Sequence, residues 1–139
     1  MSATVSLTIP ARAEYLVLTR LVLTGIALEV PMSEIALADL KLAVTEVCGN
    51  AVQHAYAERP GVVRIVFEVD PESIEVSVED EGPGAAFPEV DESALIEGPV
   101  ESGMGLAIVR SVMDEVEIDE EATEGTVVRM RKQFAGQAF

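Results

Sequence analysis

Apolar and polar residues alternate in five short segments that are rich in strand-forming residues, which predicts five β-strands. The segments are residues 4–9, 62–69, 73–80, 116–118 and 126–131. Pro10 ends the first of them, because proline cannot continue a hydrogen-bonded ladder. Asp70-Pro71-Glu72 predicts a hairpin between the second and third strands, and a turn near Glu124-Gly125 separates the last two.

Three other segments have the composition of helices. The first runs from Ala11 to about Glu29 and ends before Pro31. Ser33 can cap a second helix that runs to about Ala57, and a short third helix covers about 104–113. The order is therefore βααββ–loop–αββ, with too few helices to cover both faces of a sheet. This predicts an α+β fold, a two-layer α/β sandwich in which a mixed, mostly antiparallel sheet has its helices on one face.

The first helix is apolar around nearly its whole circumference. Such a helix is buried on more than one side, and in so small a domain a second chain would cover the side that faces away from the sheet. We expect Leu16 and Leu23 on that side, and we therefore expect a homodimer.

Length and composition predict one globular domain over residues 1–139, with a core of about 4–133. Hydrophobic residues make up 49% of the chain, yet no apolar run approaches the ~20 residues that span a bilayer. The first residues show no export signal, which favours the cytoplasm and no membrane partner. The single cysteine, Cys48, cannot form an internal disulfide and is predicted to be a small core residue.

The net charge of −16 argues against direct binding of nucleic acid, which requires clustered lysine and arginine. Residues 65–128 contain 19 of the 25 acidic residues and only one basic residue, Arg110. This distribution indicates either an ordinary solvated surface or an acidic face that meets a basic partner.

Glu46 and Asn50 are four residues apart and share one face of the second helix. An asparagine oxygen is a ligand that Mg²⁺ accepts, and a carboxylate one turn away can act as a general base. The alternative is two polar residues on an exposed helix face. His54 continues the same stripe, as a structural residue or as a contact on the phosphate side of a nucleotide.

Asp80 ends a predicted strand and precedes Gly82 and Gly84. A carboxylate at this place can accept a hydrogen bond from the amine of adenine, and the glycines allow the backbone to approach the ring and ribose. The alternative is a simple Asp-Glu-Gly turn.

A second glycine pair lies in Ser102-Gly103-Met104-Gly105-Leu106, after a long loop and before the third predicted helix. The free N–H groups at a helix N-terminus can hold phosphate oxygens, so Gly103, Met104, Gly105 and Leu106 are candidate nucleotide contacts. Thr126 is a further candidate near the base, and it is also an ordinary strand residue.

Together these motifs resemble the conserved boxes of the GHKL ATPases, which include gyrase B, Hsp90, MutL and the histidine kinases. Residues 42–51 with His54-Ala55-Tyr56 are similar to the N-box of the small bacterial anti-sigma-factor serine/threonine kinases of sporulation and stress-response switches. Ser102–Leu106 and Met113-Asp114-Glu115-Val116 match that group as well. The likeness spans residues 5–133.

The resemblance implies the Bergerat fold of these ATPases and a dimeric cytoplasmic protein that binds ATP and Mg²⁺. Such kinases phosphorylate a serine of an anti-anti-sigma factor and otherwise hold a sigma factor inactive. It implies that Glu46 is the general base, Asn50 the Mg²⁺ ligand and Asp80 the adenine contact. The same likeness implies that the pocket is shaped by Gly82, Gly84, Gly103 and Gly105, with Thr126 near the base.

One feature departs from the pattern of these kinases. The expected ATP lid covers about 85–102, and its residues Ala85 to Glu101 include no lysine or arginine. Phosphoryl transfer depends on positive charge beside the transferred group. An ATP-binding partner-switch regulator with little or no kinase activity is therefore the first alternative, and the catalytic domain of a histidine kinase is the second.

Overall fold

The computed structural model describes residues 2–55, 61–80, 101–119 and 125–134, and of residues 54–55 and 101–104 it describes the backbone. These residues form five strands and three α-helices. In chain order they are β1 (Ala3–Pro10), α1 (Val17–Ala27), α2 (Glu34–Asn50), β2 (Val62–Val69), β3 (Ser73–Asp80), α3 (Glu101–Val112), β4 (Glu115–Asp119) and β5 (Thr126–Gln133). A 3₁₀ turn at Ala13–Tyr15 precedes α1, and a π-helical turn at Ala51–Ala55 follows α2.

The strands form one sheet in the order β1-β2-β3-β5-β4, and every pairing between the described strands is antiparallel. β2 and β3 form the predicted hairpin, in which the Asp70 N–H donates to the Ser73 carbonyl over 2.9 Å. Gly125 directly precedes β5 and has φ 135°, a backbone conformation that residues other than glycine rarely adopt. The register places Thr126 directly opposite Asp80.

Alternate residues of the sheet face the helices and form the core. Fully buried examples are Val63, Ile65, Phe67, Val76 and Met130. On the opposite face most residues are polar, and Arg64 pairs with Glu79 in an exposed ion pair of 3.1 Å. The predicted two-layer α/β sandwich is confirmed.

Helix α2 begins where the sequence predicts, because the Ser33 hydroxyl accepts a hydrogen bond from the Ala36 N–H over 3.1 Å. Its buried residues Ala36, Leu40, Ala43 and Val47 recur at helical spacing and turn one face to the sheet. The α-helical geometry ends at Asn50, before the predicted end near Ala57, and continues as the π-helical turn.

Helix α1 departs from the sequence prediction in its start and in the side that it exposes. It begins at Val17 instead of Ala11, after the 3₁₀ turn. Leu23 is fully buried in the core of its own chain, so its assignment to the outer side was wrong, and Leu16 is half-buried against the same core. Val17, at 53% exposure, and Leu21, at 61%, lie on the outer side instead. A helix that is apolar all round does not reveal in its sequence which side meets the sheet.

The third helix begins at Glu101, three residues before the predicted Met104. The segment Ser102–Leu106 therefore lies inside the first turns of α3, and the prediction that it precedes the helix was wrong. β4 and β5 extend slightly beyond their predicted bounds. No helix in the described part of the chain has the length and hydropathy needed to cross a membrane.

Candidate functional site

Glu46 and Asn50 lie one turn apart at the C-terminal end of α2, as their spacing predicts. Asn50 is buried, with 8% exposure, and Glu46 is half-buried. They therefore do not lie on a fully exposed helix face, which was the alternative interpretation of this pair.

Gly105 of α3 is the point at which the two side chains converge. A Cβ atom built on Gly105 would lie 3.2 Å from Glu46 Oε2 and 3.4 Å from Asn50 Nδ2. A side chain at position 105 would require the Glu46 carboxylate or α3 itself to shift slightly, so glycine favours the close approach. The contact brings the N-terminal part of α3 beside the end of α2. Gly105 follows directly after the first four residues of α3, whose backbone N–H groups have no partner within the helix.

Asn50 Nδ2 is buried, and it has no hydrogen-bond partner among the residues that the structure describes. A buried amide without a partner costs free energy unless a ligand supplies one. A 180° rotation exchanges the amide oxygen and nitrogen, so either atom can face that ligand. The donor set fits an ATP·Mg²⁺ complex, because the oxygen suits Mg²⁺ and the nitrogen suits a phosphate oxygen.

A second buried polar pair lies where β3 ends and β5 begins. Asp80 is 6% exposed and Thr126 is 1% exposed, and the two are direct partners in the sheet register. Thr126 Oγ1 has no hydrogen-bond partner in the described part of the chain. The pair offers a carboxylate and a hydroxyl, the groups that can accept from and donate to the edge of a base. Helix α2 contacts both strands that carry this pair.

The remaining predicted site residues differ in how far the structure describes them. Gly103 and Met104 lie in the first turn of α3, where the backbone alone is described, and Leu106 is half-buried. The backbone of His54 lies in the π-helical turn that directly follows Asn50, and its side chain lies outside the described residues. Gly82, Gly84 and the predicted lid as far as Val100 also lie outside them. Such π-helical turns are frequent at functional sites.

Cys48 lies between Glu46 and Asn50 in sequence but turns into the core. It is fully buried, and burial raises the pKa of its thiol from 9.0 to about 12. The neutral thiol is not a nucleophile at physiological pH. The prediction of a small core residue is confirmed.

Lys132 and Asp39 form an ion pair beneath the helices that the sequence pattern did not lead us to predict. The alternation of inward and outward residues in β5 could have revealed Lys132. Val128, Met130 and Lys132 occupy successive positions that face the helices. A lysine in that apolar series indicates a buried cation with a specific partner.

Comparison with known proteins identifies the family of this chain. Residues 9–132 match the family model described as histidine kinase-like ATPase domain. The chain is 34% identical over 135 residues to proteins named serine-protein kinase RsbW from Bacillus cereus (strain Q1) and Bacillus anthracis (strain CDC 684 / NRRL 3495). These alignments cover 92% of this chain and 83% of each relative.

A solved structure has the same fold. It is the crystal structure of the RsbU and RsbW domains of a Mycobacterium tuberculosis protein, which superposes with a TM-score of 0.70 at 20% identity. The superposition covers 95% of this chain and 32% of that one, so this chain spans about a third of the solved protein. Because the family model matches nearly the whole chain and the relatives are 34% identical to it, the chain belongs to the histidine kinase-like ATPase domain family.

Proposed function

We propose that this protein is an ATP-dependent serine/threonine kinase that phosphorylates a serine of an anti-anti-sigma factor and sequesters a sigma factor. The convergence of Glu46 and Asn50 on Gly105 is the single observation that supports it most directly. The relatives named serine-protein kinase support the same activity, and they favour it over the catalytic domain of a histidine kinase.

In this proposal Glu46 accepts the proton of the attacking serine hydroxyl. Its half-buried carboxylate lies at the contact with Gly105, next to the first turn of α3, where a phosphate group would lie. Asn50 holds Mg²⁺ through its amide oxygen. ATP·Mg²⁺ supplies the phosphoryl group and the positive charge that offsets the negative charge of the transition state. Gly103, Met104, Gly105 and Leu106 surround the phosphates, and His54 is a further contact on that side.

The adenine base lies at the second polar pair. Asp80 accepts a hydrogen bond from the exocyclic amine, and the Thr126 hydroxyl supplies a further contact. Gly82 and Gly84 allow the backbone to approach the ring. This arrangement discriminates against guanine, because guanine has an acceptor where adenine has a donor.

A second candidate function is an ATP-binding partner-switch regulator with little or no kinase activity. The absence of lysine and arginine from Ala85 to Glu101 favours it. Without a basic residue there, the charge on the transferred phosphoryl group is met by Mg²⁺ and backbone N–H groups. We therefore expect slow turnover, on the order of or below the ~1 s⁻¹ floor of typical kinases.

The assembly proposed for this function is a homodimer in the cytoplasm, where ATP and sigma factors are found, formed by a single domain over residues 1–139. The proposed interface consists of β1 and the outer side of α1. β1 is an edge strand of the sheet, and α1 exposes Val17 and Leu21. Between β1 and α1 lies an apolar groove of about 590 Å³, lined by Val5, Val22, Gly25 and their neighbours.

The proposal is tested by phosphorylation of a cognate anti-anti-sigma protein. Glu46→Gln keeps the shape of the side chain and its hydrogen bonding but cannot accept a proton. We expect it to bind ATP normally and to transfer phosphate about 10²–10⁴-fold more slowly. Asn50→Ala removes the metal ligand and should lose both binding and transfer.

Transfer of labelled phosphate and calorimetric titration with ATP·Mg²⁺ are measured on wild type and both variants. If Glu46→Gln transfers phosphate as fast as wild type, the role of general base is wrong. If wild type binds ATP and transfers nothing, the partner-switch regulator replaces the kinase.

A further inference from the structure

Lys132 joins three elements beneath the helix layer. It lies on the helix-facing side of β5 and is 8% exposed. Its Nζ donates to Asp39 Oδ2 of α2 over 3.1 Å and to the Val112 carbonyl at the end of α3 over 2.7 Å. A lysine here caps the C-terminal end of α3, where a positive charge is favoured, and ties that end to α2.

Backbone hydrogen bonds already attach the end of α3 to β5. The Asp114 N–H donates to the Arg131 carbonyl over 2.9 Å, and the Gln133 N–H donates to Asp114 Oδ2 over 2.6 Å. Lys132 differs from these bonds because it also reaches α2. It is therefore the polar link between the two helices at this end of their contact.

The nucleotide site lies at the other end of the same contact. Asp39 precedes Glu46 by seven residues, and Gly105 precedes Val112 by seven residues, so each segment is about 10.5 Å long. The two helices therefore run in opposite directions and meet at both ends. One meeting point is the Lys132 cluster, and the other is the contact of Gly105 with Glu46 and Asn50. A methyl group at position 105 would lie 3.2 Å from Glu46 Oε2, which is closer than most such contacts, so this second contact responds to a small slide of α3 along α2.

We propose that Lys132 is a positioning residue of the nucleotide site: by holding the end of α3 against Asp39, it sets the distance between Gly105 and the Glu46–Asn50 pair. This inference rests on the proposed nucleotide site. The link acts through backbone placement, since Asp39, the partner of Lys132, lies about two helical turns from Glu46 and about three from Asn50.

A purely structural ion pair would have a different signature. Its loss would lower the stability of the whole fold and would leave the geometry at Gly105 unchanged. Mutations at sites more than ~7–10 Å apart without shared partners are ordinarily additive. Coupling between Lys132 and Gly105 would therefore report the placement of α3.

The experiment is a double-mutant cycle with Lys132→Met and Gly105→Ala, read by calorimetric titration with ADP·Mg²⁺. Arg64→Met is the matched control, because Arg64 also pairs with a carboxylate at 3.1 Å but on the face of the sheet without helices. We expect Lys132→Met to weaken ADP binding about fivefold, which is the lower end of the range of affinity changes for coupling between distant sites. Lys132→Arg should bind ADP as wild type does. Because Lys132→Met frees α3 to shift, it should relieve part of the effect of Gly105→Ala. The double variant should then deviate from the product of the single effects by at least about threefold.

A second readout uses the nucleotide-free protein. The amide resonance of Gly105 should shift in Lys132→Met and stay in place in Arg64→Met. If Lys132→Met does not fold, Asp39→Asn takes its place in both measurements, since it keeps the side-chain shape and removes the charge. An additive cycle with an unmoved Gly105 resonance overturns the positioning role and leaves the proposed function intact. Failure of wild type to bind ADP overturns the proposed function itself.

Discussion

Two residues bury polar atoms that have no partner among the described residues, Asn50 and Thr126. Such groups cost about 1–3 kcal/mol each and are rare in folded proteins. They lie at the two subsites proposed for the phosphates and the base. A ligand that supplied both hydrogen-bond partners would recover this free energy on binding. The two positions therefore favour a ligand with polar groups at both subsites.

At this scale the first prediction concerns the choice of base. We expect Asp80→Ala to weaken ATP·Mg²⁺ binding by about 1–3 kcal/mol, because the adenine amine loses its acceptor. Asp80→Asn should weaken it less, since a rotated amide still offers an oxygen. Calorimetric titrations with ATP and GTP measure both effects, and equal affinity of wild type for the two nucleotides would contradict the assignment.

Thr126→Val is the companion variant at the neighbouring position. It removes the buried hydroxyl that has no partner, so the nucleotide-free protein should be no less stable in urea than wild type. Its ATP affinity should fall by about 1 kcal/mol, the contribution of one neutral hydrogen bond. A variant that binds ATP as well as wild type would show that Thr126 does not contact the base.

At the scale of elements, α2 has two tasks. Its buried face packs on the sheet, and its last turn holds Glu46 and Asn50 at the contact with α3. The two tasks are separated along the helix, because its N-terminal end is fixed by Ser33 and its C-terminal end carries the residues of the proposed site. Damage at the N-terminal end should therefore affect stability more than nucleotide binding.

Ser33→Ala tests this separation. The variant loses the hydrogen bond from the Ala36 N–H, and we expect a decrease of about 1 kcal/mol in the free energy of unfolding. Urea denaturation measures it. Ser111→Ala is the control, because the exposed Ser111 hydroxyl donates to the Ile108 carbonyl within α3 and caps no helix start; its effect should stay within about 0.5 kcal/mol. ATP affinity should be unchanged in Ser33→Ala, and a large loss of affinity would contradict the separation.

At the scale of the whole molecule, α1 combines exposed apolar side chains with an absence of acidic residues. Helix α1 contains no acidic residue, although the chain has a net charge of −16. It exposes Val17, Leu18 and Leu21 beside the groove along β1. Two copies of so acidic a chain repel one another over most of their surfaces, so the face of α1, whose one charged residue is Arg20, is the suitable place for self-association.

Leu21→Glu tests the proposed dimer. Leu21 is 61% exposed, so a charge there should leave the monomer folded while disrupting an interface on α1. We expect the dimer dissociation constant to rise at least about tenfold, since burial of a leucine contributes about 1.5–3 kcal/mol. Sedimentation at micromolar concentration measures it. Ile35→Glu is the control, because Ile35 is 76% exposed at the start of α2 and belongs to neither β1 nor α1, the elements of the proposed interface. A wild-type protein that sediments as a monomer would contradict the dimer.

By itself, the sequence determined the strand pattern, the order of the helices and the position of Glu46 and Asn50 on one face of α2. These features depend on local periodicity and spacing, as in β2 and β3, whose observed bounds equal the predicted ones. The family resemblance also followed from the spacing of short motifs, and it is confirmed. Cys48 could be assigned to the core because a single thiol has few other roles.

Tertiary structure decided which residues meet across elements. The inner side of α1 depends on what packs against it, which is why Leu23 is buried and Leu21 is exposed. The start of α3 and the contact of Gly105 with Glu46 and Asn50 depend on how two helices pack, since the residues are more than fifty positions apart. The three-way link of Lys132 with Asp39 and Val112 depends equally on that packing. Local spacing fixes the direction of a side chain on its own element, whereas the partner that it meets is set by long-range packing of the core.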